Sequence, residues 1–152
     1  MTFTAYLAVK LLHVLLAIVA LGANLTYGAW FARANLHPES APFALRGIAF
    51  IDTWIANPAY LLMLPTGLAM VWLAGYPLGL HWINWAMGLW LVAILAAYLG
   101  YSPVLRAQIA AVERAGVASP AARALATRGQ IWAGVLGVLI LAILVLMVFK
   151  PA

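Results

Sequence analysis

Two histidines and a lysine are the residues of this chain best suited to chemistry. His13 lies in the first long apolar run, and His81 directly precedes the third. Imidazole can titrate near neutral pH and is the usual axial ligand of a b-type haem. Lys10 precedes His13 by three residues and therefore falls on the same helical face. This pattern favours a haem site near the outer face of a membrane, with His13 as an iron ligand, His81 as a candidate second ligand and Lys10 beside a propionate.

Each of these residues also has a purely structural interpretation. His13 can hydrogen-bond to a neighbouring membrane helix, and His81 can lie at the membrane surface beside Trp82. Lys10 is close enough to the start of its apolar run to reach lipid headgroups. The chain contains no cysteine, which excludes a disulfide, a thiolate nucleophile and a cysteine-ligated metal. The sequence identifies no catalytic residue.

The elements that carry these residues must be membrane helices. Hydrophobic residues make up 68% of the 152-residue chain and charged residues 7%, against roughly 45–50% and about 25% in a soluble domain. A membrane helix needs roughly 20 apolar residues. Four such runs, separated by short polar or proline- and glycine-containing segments, predict a single all-α domain, an antiparallel four-helix membrane bundle. The predicted spans are about residues 5–31, 47–74, 82–105 and 127–149.

The arginines predict the orientation of this bundle. All six arginines lie in or beside the two longer loops, whereas Lys10 and Lys150 are the lysines on the opposite side. Basic loops stay in the cytoplasm, so both termini are expected outside, in a multi-pass protein of the bacterial cytoplasmic (inner) membrane. The net charge of +5 then reflects topology, and the lipid bilayer rather than nucleic acid is the expected partner. The six are Arg33, Arg46, Arg106, Arg114, Arg123 and Arg128.

A second group of polar residues lies near the cytoplasmic ends of the predicted spans. A charged side chain at mid-membrane costs about 2.5 kcal/mol or more, so Asp52 is expected to face protein and to pair with Arg128 or Arg46. No carboxylate lies in the apolar waist between this group and the outer histidines, which disfavours a pump or channel. The predicted structural polar cluster is Asn24, Asp52, Asn57, Arg128 and Gln130.

Two short motifs carry a family resemblance. They are Lys10-Leu11-Leu12-His13-Val14 in the first span and Pro58 followed by Leu64-Pro65-Thr66-Gly67-Leu68 in the second. The chain resembles small bacterial integral membrane proteins of unknown function that look related to HemJ-type protoporphyrinogen oxidases and CopD-like membrane domains. This resemblance implies a haem or porphyrin role for His13 alone. The first span ends Trp30-Phe31-Ala32-Arg33 and the third contains no lysine, unlike HemJ-type proteins, so porphyrinogen oxidation is not implied.

Three functions remain open from the sequence. The first is binding of haem b or a porphyrin for electron transfer or tetrapyrrole handling. The second is a non-enzymatic accessory subunit of a larger membrane complex, or a homodimer, because small residues allow close helix packing. The third is a small-solute transporter that uses a second span kinked at Pro58 and Pro65. The small residues in question are Ala17, Ala20, Gly88, Gly134 and Gly137.

Overall fold

The computed structural model describes residues 2–151, and these residues are helical over nearly their whole length. They contain no β-strand, and four of their helical segments are long and apolar enough to cross a membrane. The predicted all-α, four-span architecture is therefore confirmed. The four spans are Phe3–Leu36, Pro38–Leu73, His81–Ala115 and Pro120–Phe149.

Each helical segment extends beyond the apolar run that predicted it, because the helices continue into polar flanks. Two spans are also interrupted by a π-helical segment. In chain order the elements are α1 (Thr2–Leu36), a 3₁₀ turn (Pro38–Ser40), α2 (Ala41–Ile51), a π-helical segment (Asp52–Ala56), α3 (Asn57–Leu73), α4 (His81–Leu95), a second π-helical segment (Ala96–Tyr101), α5 (Ser102–Ala115) and α6 (Pro120–Phe149).

The first connection is shorter than the sequence suggests. Residues 33–42 are expected to form a polar, proline-broken loop, yet α1 continues to Leu36 and helical structure resumes at Pro38. Pro38 and Pro42 occupy the first or second position of a helical segment. At these positions a backbone N–H has no partner within the helix, so its absence in proline costs no hydrogen bond. The prolines therefore begin helices here, and the non-helical break is reduced to His37.

The other two connections follow their local sequence signals. Gly75 adopts a φ of 69°, a left-handed conformation that favours glycine, just after α3 ends at Leu73. The hydroxyl of Ser119 accepts a hydrogen bond from the Ala122 N–H at 3.3 Å, and Pro120 is the first residue of α6. The predicted cap of the fourth helix is confirmed, because capping depends only on neighbouring residues.

Both π-helical segments end directly before an X-Pro step, Asn57-Pro58 in one span and Ser102-Pro103 in the other. A proline ring clashes with the carbonyl four residues earlier and donates no hydrogen bond. The backbone N–H groups of Asn57 and Ser102 bond instead to carbonyls five residues back. The distortion predicted at Pro58 is thus a π-helical turn, whereas α3 continues through Pro65.

The bundle consists of two antiparallel helical hairpins. α1 packs along α2 and α3, while α4 and α5 pack along α6. We call the end of the bundle at residues 37 and 116–119 the loop end, and the end at residues 2, 74–80 and 149 the terminal end. At the loop end the hairpins meet, because α2 packs against α5, whereas α3 and α4 make few contacts toward the terminal end.

The main hydrophobic core lies in the loop half and is rich in alanine. Leu45 and Ile48 are its largest fully buried side chains. A Cβ atom placed on Gly100 would lie 2.6 Å from the ring of Trp132, so the third and fourth spans depend on a glycine for their close approach. Large apolar side chains cover the outward faces of the helices, which is the surface that a bilayer would cover.

Candidate functional site

The separation of the two hairpins leaves a partly open cavity of about 400 Å³ in the terminal half. Residues from all four spans line it, and most of them are aliphatic or aromatic. Three of the lining residues, Lys10, His13 and Lys150, are basic. Among the described residues that line the cavity, none carries a carboxylate. A mostly apolar cavity with a few convergent polar groups is the usual form of a small-molecule site.

Hydrogen bonds between spans form the floor of this cavity. The indole Nε1–H of Trp90, which lines the cavity, donates to the Tyr60 carbonyl at 3.0 Å. The Asn24 side-chain amide donates to the Tyr60 hydroxyl at 2.6 Å and to the Ala20 carbonyl at 2.9 Å. These bonds connect the first, second and third spans at mid-depth, below the cavity.

His13 is held by the second span. Its Nδ1 lies 2.8 Å from the Thr66 hydroxyl oxygen. That hydroxyl has one proton, which it donates to backbone carbonyls one turn earlier, Leu62 at 2.8 Å or Met63 at 3.1 Å. When that proton goes to a carbonyl, Thr66 accepts from His13, and the imidazole then carries its proton on Nδ1 and keeps a lone pair on Nε2. Within the described chain, Nε2 makes no hydrogen bond.

Gly67 completes the contact between the first and second spans. A Cβ atom placed on Gly67 would lie 3.4 Å from Cε1 of His13, so the glycine backbone faces the edge of the imidazole ring. Thr66 and Gly67 belong to the motif on which the family resemblance depends. Their contacts with His13 give that motif a local role, which is to position the imidazole at the cavity wall.

The two lysines lie near aromatic rings at the terminal end. The Lys150 Nζ is 5.5 Å from the ring centroid of Tyr76 and 5.5 Å from that of Trp82. The Lys10 Nζ is 6.0 Å from the ring centroid of Tyr6. Neither lysine forms an ion pair with an aspartate or glutamate of residues 2–151.

The cavity also gathers the methionines. The chain has five, and the four that follow Met1 all line the cavity. Thioethers are polarizable side chains that fill irregular spaces and can serve as soft metal ligands. Spacing along one helix can relate only two of them, so the sequence alone does not reveal this grouping. The four are Met63 and Met70 on the first hairpin and Met87 and Met147 on the second.

The structure brings His13 and Lys10 together but leaves His81 apart from them. His81 is exposed at the start of α4 and is not among the residues that line the cavity. Its neighbour Trp82 is the buried residue at this position and does line the cavity. His37 lies at the opposite end of the bundle, 3.3 Å from Glu39.

The predicted polar cluster is only partly assembled. Asp52 is buried, and its Oδ2 accepts hydrogen bonds from the Asn57 amide at 3.1 Å and the Ser102 hydroxyl at 3.4 Å. Asn24 is bonded elsewhere, in the cavity floor, and Arg128 and Gln130 are exposed on α6.

The ion pair expected for Asp52, with either Arg46 or Arg128, does not form within residues 2–151. Arg46 bonds instead to Glu113 on α5 at 2.7 Å. A separation of six residues directs Arg46 and Asp52 to different faces of their span. Arg128 lies on an exposed face of α6.

Comparison with known proteins places the whole bundle in one family. Residues 7–151 match the family model described as "Predicted integral membrane protein (DUF2269)". No curated protein and no solved structure matches the chain. The match includes no link to HemJ-type or CopD-like proteins, so that resemblance stays a prediction. Because the family model covers almost the entire sequence, the chain belongs to this family of integral membrane proteins.

Proposed function

We propose that the protein binds a tetrapyrrole, haem b or a porphyrin, in the terminal-half cavity, for electron transfer or tetrapyrrole handling. One observation carries the proposal: His13 lines the cavity and its Nδ1 is hydrogen-bonded to Thr66 at 2.8 Å, which leaves Nε2 as the ring nitrogen available to an iron. Metal-ligating histidines are typically held in this way, with the second ring nitrogen bonded to a fixed acceptor.

The size and polarity of the cavity support the proposal. Small-molecule sites have volumes of roughly 300–1,000 Å³ and mainly apolar walls, and the cavity of about 400 Å³ fits this description. Aromatic and aliphatic side chains suit the flat macrocycle. Lys10 and Lys150 would pair with its propionates, because both are basic lining residues without a carboxylate partner in the described chain.

The second axial position has its best candidates on the second hairpin. Met87 and Met147 line the cavity from α4 and α6, whereas His13 is on α1. Histidine–methionine ligation of haem occurs in electron-transfer proteins and raises the reduction potential. His81 lies outside the cavity lining, so the proposal retains His13 and Lys10 from the sequence prediction. A bound haem would supply one-electron redox chemistry, and the protein would supply its position and surroundings.

An absorption spectrum tests the proposal directly. The detergent-purified protein, expressed with a haem precursor, should show a Soret band and, after dithionite reduction, sharp α and β bands. His13→Ala should lose the Soret band while far-UV circular dichroism stays unchanged. His37→Ala is the matched control and should keep the spectrum. The proposal fails if the folded wild-type protein binds neither haem nor protoporphyrin, or if His13→Ala retains the complete haem spectrum.

Variants of the two methionines test the second ligand. Met87→Leu and Met147→Leu keep the side-chain volume nearly constant but remove the thioether. The variant that loses the ligand should change from a six-coordinate to a five-coordinate spectrum, with broadened reduced α and β bands. Met70→Leu, on the same hairpin as the histidine, serves as the control. Unchanged spectra in both variants would assign the second position to another residue.

A second candidate function, as a subunit of a homodimer or a larger complex, has its own observation. Gly88, Gly134 and Gly137 are exposed, and a Cβ placed on any of them would meet no atom within 4 Å. These small residues are not needed for packing within the chain, which leaves them available for close contact with another helix. Light scattering after mild solubilisation tests this function. A monomer that co-purifies with no stoichiometric partner would exclude it.

A further inference from the structure

Below the cavity floor, a second group of polar side chains is buried in the loop half. Asp52, Asn57 and Ser102 are linked by the hydrogen bonds to the Asp52 carboxylate, and the phenols of Tyr27 and Tyr101 lie beside them. We call these five residues the Asp52 cluster. None of them lines the terminal-half cavity, so the cluster is separate from the proposed tetrapyrrole site.

The Asp52 cluster contains two buried phenol groups. Tyr27 is 5% exposed and Tyr101 is 4% exposed. The Tyr27 hydroxyl lies close to the Asp52 carboxylate, which is able to accept its proton. The Tyr101 hydroxyl forms no hydrogen bond within the described chain. Buried polar atoms in folded proteins nearly always have a partner, either protein, water or a bound ion, so the Tyr101 oxygen points to an occupant beside the carboxylate.

The charge of Asp52 narrows the choice of occupant. It is the only buried carboxylate of the described chain, and no lysine, arginine or histidine of residues 2–151 forms an ion pair with it. The basic residue nearest in its influence is Arg106, which is exposed on α5 and acts on the carboxylate without forming an ion pair. An ionised carboxylate inside an apolar membrane bundle needs a compensating positive charge.

The available ligand atoms are all oxygens. Both hydrogen bonds to Asp52 use Oδ2, so Oδ1 is free, and the Asn57 carbonyl oxygen is free because that side chain donates through its amide nitrogen. The Ser102 and two tyrosine oxygens also keep lone pairs. Oxygen donors suit hard cations. A single carboxylate balances one positive charge, which favours a monovalent ion over Ca²⁺.

We propose that the Asp52 cluster is a binding site for a small monovalent cation such as Na⁺, because its side chains offer oxygen ligands and one negative charge. The backbone supports this assignment, because Asp52 begins one π-helical segment and Ser102 directly follows the other. π-Helical turns are frequent at functional sites, and irregular helix segments hold Na⁺ in membrane transporters. The site links the two hairpins where they pack together, so the bound ion would stabilise their contact.

Thermal unfolding of the detergent-solubilised full-length protein tests the proposal. An ion that binds only the folded state raises the midpoint temperature in a saturable way. Titration with NaCl should raise the midpoint, whereas choline chloride at the same ionic strength should not. Asp52→Asn should abolish the Na⁺-dependent shift. Glu113→Gln is the matched control, because it neutralises an exposed carboxylate at the same interface and should keep the shift.

The Tyr101→Phe variant provides a second test of Na⁺ binding that does not depend on whether Asp52→Asn folds. In choline chloride this variant should be at least as stable as the wild type, because it removes an unpartnered buried hydroxyl. In NaCl it should require a several-fold higher Na⁺ concentration for half of the shift. The proposal is overturned if choline stabilises as well as Na⁺, if the Tyr101→Phe titration equals that of the wild type, or if acidification alone replaces Na⁺. The last result would identify a proton as the occupant.

Discussion

The His13 imidazole and the Thr66 hydroxyl, 53 residues apart in sequence, form a 2.8 Å hydrogen bond that joins the first and second spans. The Thr66 hydroxyl is able to donate its own proton to a carbonyl of its helix and to accept from His13. The bond therefore orients the imidazole, and with Thr66 as the acceptor it places the ring proton on Nδ1. Such orienting partners commonly change metal affinity by about 10- to 100-fold when they are removed.

Thr66→Val should consequently weaken haem binding by about 10- to 100-fold. Valine preserves the branched shape but cannot accept the Nδ1–H, so the imidazole loses its fixed orientation. Titration of the apoprotein with haem, followed at the Soret band, measures the effect. Thr26→Val is the control, because Thr26 donates to the Ala23 carbonyl and does not line the cavity. Equal affinities for Thr66→Val and the wild type would disprove an orienting role.

Removing either lysine should weaken the binding of a tetrapyrrole that carries free carboxylates. Lys10→Met and Lys150→Met keep much of the apolar stem, and each should reduce haem affinity by about 1 kcal/mol, as expected for a partly exposed ion pair. Haem dimethyl ester lacks the carboxylate charges and should bind the variants and the wild type equally. An equal loss for both ligands would mean that the lysines act on the fold of the cavity mouth.

Gly100→Ala should destabilise the bundle by about 1–3 kcal/mol, the usual range for overpacking. The added methyl group would lie 2.6 Å from the Trp132 ring, so the third and fourth spans must move apart. Gly134→Ala, where a Cβ meets no atom within 4 Å, should be neutral or slightly stabilising because alanine favours the helix. Reversible unfolding in mixed detergent measures both. Trp132→Leu should relieve much of the cost in a double variant, and failure to do so would refute the steric explanation.

The orientation of the chain can be tested with single cysteines, since the natural sequence has none. Gly79→Cys lies in the turn at the terminal end, and Ala118→Cys lies in the connection at the loop end. If the arginine distribution places the loop end in the cytoplasm, an impermeant maleimide should label only Gly79→Cys in intact bacterial cells. After the membrane is made permeable, both should react. Labelling of Ala118→Cys alone in intact cells would reverse the topology.

Local features of the sequence were enough to predict four long apolar helices and the N-cap of the last one. Four apolar runs correspond to four helices, because a membrane leaves backbone groups no other partners. The Ser119-Pro120 cap depends only on neighbouring residues and is found as predicted. The first connection shows the opposite case. In the sequence Pro38 looks like a helix breaker, but in the structure it begins a helical turn. A proline at the start of a helix costs no hydrogen bond, because the N–H at that position has no partner within the helix.

The tertiary structure decided which residues come together in each site. Sequence spacing placed His13 and Lys10 on one face, and both line the cavity, but His81 at a similar predicted depth does not. Depth along a helix is encoded locally, whereas the direction of a side chain in the bundle depends on how every helix is rotated and paired. The same reason explains why Arg46 bonds to Glu113 rather than Asp52. It also explains why the tyrosines around Asp52 and the four cavity methionines, from different spans, emerge only when the two hairpins are packed.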